Sequence, residues 1–137
     1  ALSRLTDADL AFSPGGNNVT PGELLKASGD IQLSYSQSLK TFSQDWTDST
    51  GNAELISNIA SLKAWFKQID EEMKQVLQSL TVDNLQKTVD RGNGVIRTID
   101  QQLEIYIQAL MIFPGKLVVY FNAMDKELPP SIQEYIA

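Results

Sequence analysis

Glu104, Tyr106 and Lys116 are the residues whose types suit acid–base chemistry on a small electrophile or thiol: a carboxylate, a phenol and an ammonium group. Asp30 and Tyr120 join them as weaker candidates. Glu104 and Asp30 sit in amphipathic segments, where a carboxylate ordinarily lies at the rim. Tyr106 and Tyr120 suit core positions with the hydroxyl at an edge. Nothing in the spacing makes these groups converge. The sequence contains no His and no Cys. Ser–His–Asp and Cys nucleophile machinery is therefore excluded, as are zinc sites built from imidazole or thiolate. A di-iron carboxylate bundle lacks the histidines of its paired Glu-x-x-His units. Gly15-Gly16 and Gly92–Gly94 follow no strand pattern and lack phosphate-loop spacing, so both read as turns.

The elements that must position these residues are helical. Thr98 to Pro130 is apolar almost throughout from Leu103 to Met124, interrupted by Pro114-Gly115 and ended by Leu128-Pro129-Pro130. A helix apolar on most faces is expected at the centre of a bundle. Thr20-Pro21-Gly22-Glu23 is a capping box with Pro at the first helical position. The helix it starts carries Leu24, Leu25, Ile31, Tyr35, Leu39, Phe42 and Trp46 on one face and is expected to end at Asp48–Gly51. A second stripe, from Leu55 through Leu62, Ile69 and Val76 to Leu80, predicts a helix from about Asn52 to Leu80. Its charged run, Lys63 to Lys74, reads as a solvated face. Thr81 to Gly94 is a connector with a short helix near Val82–Val89 and a turn at Asp90–Gly94. Residues 1–10 read as a frayed helix end followed by a capped turn, 12–19 as a loop, and 131–137 as a final helical turn. Long helices joined by modest connectors imply an all-α bundle.

At 137 residues the chain is expected to form one domain, residues 1–137. The formal charge is −6, from 11 basic and 17 acidic residues, and no basic cluster appears, which argues against nucleic acid. Gln108, Pro114-Gly115 and Lys116 interrupt the apolar run before the ~20 residues of a membrane span, so no membrane partner is expected. The absence of Cys makes a reducing cytoplasm the default compartment.

The order of the motifs resembles one family. Leu5-Thr6-Asp7-Ala8-Asp9-Leu10, a Pro/Gly loop, Thr20-Pro21-Gly22-Glu23-Leu24-Leu25, and a closing Gly115-Lys116-Leu117 with Tyr120-Phe121 and Leu128-Pro129-Pro130 are similar to the DinB-like (YfiT-like) pattern. The resemblance implies a four-helix bundle of up-down-down-up type, often dimeric, with a divalent metal on three His in many members and thiol-cofactor transfer in some. Carried over position by position, the first ligand lands on Ala27 (or on Ser28, with a one-residue slip) and the other two on Ala109 and Phe113. None can hold a transition metal, and the family's Gln after Gly is Lys116 here. The resemblance also implies a helix ahead of Leu5. Its place is expected to be taken by an upstream segment or by another chain.

These residues imply no metal and no cofactor. The expected remnant is a small, largely apolar pocket bounded by Ala27, Ala109 and Phe113, with Ser28, Asp30 and Tyr106 as polar neighbours. The favoured function is a non-catalytic binding or scaffold protein, a homodimer with a small apolar or thiol-type ligand. The alternative is a metal-independent transferase using a thiol cofactor through Tyr106, Lys116 or Glu104. A third expectation is an interaction module whose extra apolar stripe includes Leu33 and Trp65.

Overall fold

The structure, a computed structural model, describes residues 2–47 and 50–136. Ala1, Asp48, Ser49 and Ala137, which the expected elements include, lie outside the described residues. The chain is mostly helical, as its periodicity requires. A short helix α1 (Asp7–Leu10) precedes three long ones, α2 (Pro21–Thr41), α3 (Ile59–Ser79) and α4 (Ile99–Ala123), and a last short α5 (Pro130–Ile136). Between α3 and α4 lies a small hairpin, β1 (Thr88–Asp90) against β2 (Ile96–Thr98), antiparallel with Val89 opposite Arg97.

Capping explains where the helices start. Thr6, Thr20 and Thr98 each accept from the backbone N–H three residues on, and the side chain at that position returns a bond to the cap. Asn58 caps α3, while Asp7 accepts the Ile59 N–H at 2.7 Å and ties α1 to the start of α3.

Three boundaries depart from the sequence expectation. The helix from Thr20 stops at Thr41, not near Asp48, because Phe42 turns into the left-handed region at φ 60°. The chain then joins the edge of β1: Asp90 N–H donates to the Phe42 carbonyl and Gln44 N–H to the Asp90 carbonyl. The expected helix 52–80 begins at Ile59, preceded by a separate 3-10 turn at Ala53–Ile56. That turn lies on the first turn of α2, where a Cβ on Gly22 would stand 2.0 Å from the Ile56 carbonyl oxygen. The connector's short helix is a 3-10 turn at Val82–Gln86, and the turn after it is the tip of the hairpin, with Gly92, Asn93 and Gly94 all at positive φ.

Helix α2 is the centre of the molecule. Its backbone packs closely on both α3 and α4, which meet each other through side chains: Leu62 shares one apolar cluster with Phe113 and Phe121, and Met73 and Val76 share the other with Ile99 and Tyr106. Lys40 of α2 pairs with Glu72 of α3 at 2.6 Å, and Gly29 lies under Trp65, so α2 and α3 run the same way. Along α4 the order reverses. Ser38 meets Gln102 and Tyr35 meets Tyr106, while Leu24 and Leu25 cluster with Phe113 and Leu117. Two apolar clusters result. One joins α1, the starts of α2 and α3 and the second half of α4; the other joins the end of α2, the end of α3, Val89 and the first half of α4.

Helix α4 does not occupy the bundle centre predicted from its composition. One stripe is buried, including Ile99, Gln102, Tyr106, Phe113, Leu117, Tyr120 and Phe121. The opposite face is bare because, of the long helices, only α2 packs on it closely. By length and composition α4 is long and apolar enough to cross a membrane, despite the interruptions at Gln108, Pro114-Gly115 and Lys116 from which a shorter apolar run is expected, and 17% of its most apolar window is buried. Trp65 is half-buried over Gly29 and packs on the first cluster, so it does not form the expected outward stripe; Leu33 is half-buried.

Candidate functional site

The six expected pocket residues fall into three environments. Ala27 is exposed and shares a shallow depression with Asp30 and Trp46. Asp30 is paired with Lys26 at 2.8 Å, one helical turn away. Ser28, one residue from Ala27 and so about 100° round the helix, is buried and accepts from the Gln32 amide at 3.5 Å. Tyr106 lies in the second cluster, tilted against Tyr35 with ring centroids 5.1 Å apart, and Ala109 packs against that cluster. Phe113 lies in the first. Ala27 and Asp30 share an opening, while Tyr106 and Phe113 belong to different apolar clusters. Methyl and phenyl groups offer a metal no lone pair, so these positions do not fit the ion that the resemblance implies. Among the described residues no three acidic side chains come together as a metal site needs.

The acid–base candidates also stand apart. Glu104 and Lys116 are both exposed on α4, twelve residues from one another, or about 18 Å along the axis. Tyr106 points into the core, where burial and then the charge of Asp70 push its hydroxyl up to about 12, which suits it poorly to proton transfer near neutrality. The Tyr120 hydroxyl donates to the Val19 carbonyl and fixes the loop before α2.

Two features were not anticipated from sequence. The first is a buried polar network at the hairpin end of α2 and α4. The fully buried Gln102 donates to Ser38 Oγ at 2.8 Å and to Gln44 Oε1, and its own Oε1 accepts from Arg91. The Arg91 guanidinium lies 5.5 and 5.2 Å from the ring centroids of Tyr35 and Trp46, which themselves meet edge-on at 5.9 Å. The Trp46 indole donates to the Arg91 carbonyl at 3.2 Å. Gln102 could have been found from spacing, since it lies between Ile99 and Tyr106 on the inward stripe. The second feature is the bare face of α4. Ile107, Met111, Ile112 and Val119 are 60%, 55%, 55% and 65% exposed. Their spacing of four, one and seven places them on one side of the helix. Gly115 lies among them, and a Cβ added there would meet nothing within 4 Å.

No protein-family model matches this sequence, and no curated protein matches it significantly.

Proposed function

We propose that this chain is a non-catalytic scaffold protein of DinB-like, up-down-down-up type that works as a homodimer through the bare face of α4. The single observation that supports this is the run of four large apolar side chains, each more than half exposed, along one side of a helix whose other side is core. A soluble globule rarely leaves so continuous an apolar strip in water. The second copy is the occupant because the strip suits its own twofold mate. Its apolar part runs from Ile107 to Val119, with the midpoint at residue 113. Antiparallel pairing about that point sets Ile107 against Val119 and Met111 against Gly115, whose missing side chain leaves room for it. The two α4 helices then pack side by side and cover each other's bare faces.

The area fixes the expected strength. The strip from Ile107 to Val119 is about 18 Å long and about 10 Å wide, and a contact along the whole of α4, about 37 Å, covers at most about 400 Å² per protomer. That is about 800 Å² in total, the size of a weak, transient interface, and corresponds to association in the tens of micromolar. Light scattering on the protein at about 100 μM is expected to give twice the chain mass of 15.2 kDa, and Ile112→Glu to give the chain mass itself. A wild-type monomer at that concentration overturns the proposal.

A further inference from the structure

We infer that the cleft between the Gly15–Val19 loop and the second half of α4 is a binding site for a small carboxylate with an apolar tail. The cleft has a volume of about 350 Å³. The loop contributes Asn17, Asn18 and Val19, α2 contributes Leu24, and α4 contributes Lys116, Val119 and Tyr120. No acidic residue lines it, although the protein carries a net charge of −6.

The site is built by local chemistry. Gly15 and Gly16 take positive φ, 89° and 63°, and so turn the loop back toward α4. Asn18 Nδ2 donates to the Gly15 carbonyl at 2.9 Å, and the Tyr120 hydroxyl holds the Val19 carbonyl, so both ends of the loop are tied. Glu23, the acid nearest in sequence, is occupied: its carboxylate accepts the Thr20 N–H at 2.7 Å in the helix cap. Arg4, Lys26, Lys40, Lys74 and Lys126 each pair with a carboxylate. Lys116, like Lys63, Lys67, Lys87, Arg91 and Arg97, enters no ion pair among the described residues, and it is the one cation that lines this cleft; its ammonium lies 5.6 Å from the centroid of Phe113. An ammonium and two carboxamides in one cleft suit a carboxylate head, and Leu24, Val119 and Tyr120 suit an aliphatic tail. A bare inorganic anion would leave those apolar groups uncovered, and a neutral amphiphile would leave Lys116 without its counter-charge.

Val119 belongs both to this cleft and to the proposed dimer strip, so the site is tested in both the wild-type protein and Ile112→Glu. Octanoate, octanamide and inorganic phosphate are titrated separately, with amide and side-chain resonances followed by two-dimensional NMR. Octanoate is expected to shift the Asn17, Asn18 and Tyr120 signals and saturate in the millimolar range, at least fivefold tighter than octanamide or phosphate. Lys116→Gln is expected to weaken octanoate at least fivefold while leaving octanamide unchanged. No saturable shift at Asn17 and Asn18, equal affinity for octanoate and octanamide, phosphate binding as tight as octanoate, or an unaffected Lys116→Gln variant would each overturn the site. Because the titration is repeated on Ile112→Glu, loss of the dimer and loss of the site are read separately.

Discussion

Replacing Gln102 by Leu tests whether the buried polar network holds the hairpin end of the molecule together. The change keeps volume near constant and removes three hydrogen bonds: to Ser38, to Gln44 and from Arg91. Their losses differ. Ser38 keeps its own donation to the Tyr35 carbonyl at 2.7 Å, so it loses little. Gln44 is buried, and its Oε1 is left facing Leu, at about 2 kcal/mol for an unsatisfied acceptor. Arg91 is half-buried and keeps both aromatic neighbours and a bond to the Tyr35 hydroxyl at 3.3 Å, so its loss is about 1 kcal/mol. An apolar side chain at a fully buried position returns about 1 kcal/mol. The one remaining bond of Gln102, to Ser38, adds little, for a net destabilisation of about 2 kcal/mol. With a urea m-value of about 2 kcal/mol/M, the unfolding midpoint falls by about 1 M. Adding Gln44→Leu removes the stranded acceptor and is expected to recover about half the loss. A single variant within about 0.5 kcal/mol of wild type would refute the reasoning.

Other expectations follow from the same coordinates. Gly22→Ala drives a Cβ to 2.0 Å from the Ile56 carbonyl oxygen and is expected to cost about 3 kcal/mol in urea unfolding. Gly115→Ala meets nothing and, on the monomeric Ile112→Glu background, is expected to add about 0.8 kcal/mol through helix propensity. Alkaline difference absorbance is expected to show one tyrosine titrating near 12, lost in Tyr106→Phe. The folded state holds that proton longer than the unfolded chain does, so the stabilising contribution is complete below pH 10 and fades as pH rises through 12. At the acid end, burial tends to raise Asp9, but Lys126 at 2.9 Å and the Thr6 bonds outweigh it and hold the carboxyl below its ordinary value of 3.8. Its contribution is therefore present above that value and lost as pH falls through the lowered one, a dependence that Asp9→Asn is expected to flatten in acid unfolding curves.

Much of the fold is legible in the sequence because capping and periodicity are local. Thr20 and Thr98 mark helix starts by their own side chains, and the Leu62–Val76 stripe reports α3 directly, though not its cap at Asn58. The misplaced boundaries have tertiary causes. Phe42 and Trp46 continue a helical face on paper, but the pull of the β1 edge turns the chain out at Phe42. The hairpin itself has only three residues per strand, too short for an alternation to show. Apolar composition announced α4 but not its orientation, since a helix apolar all round looks the same whether one face or every face is covered. The expected pocket was legible only as positions in a family pattern, and the side chains at those positions, Ala27 outside and Phe113 inside, do not share a cavity. The Lys116 cleft escaped notice because Asn17 and Asn18 come from a loop nearly a hundred residues away along the chain.

The absence of cysteine permits a direct measurement of the α4 pairing. Ile112→Cys places a single thiol close to the proposed twofold axis, and Val82→Cys, at a position 82% exposed and outside the Ile107–Val119 strip, serves as the reference. Under mild oxidation at about 50 μM, the account predicts that Ile112→Cys converts rapidly and almost completely to a disulfide-linked dimer while Val82→Cys lags at least tenfold. Equal rates for the two variants would contradict the claim that α4 carries this protein's interface.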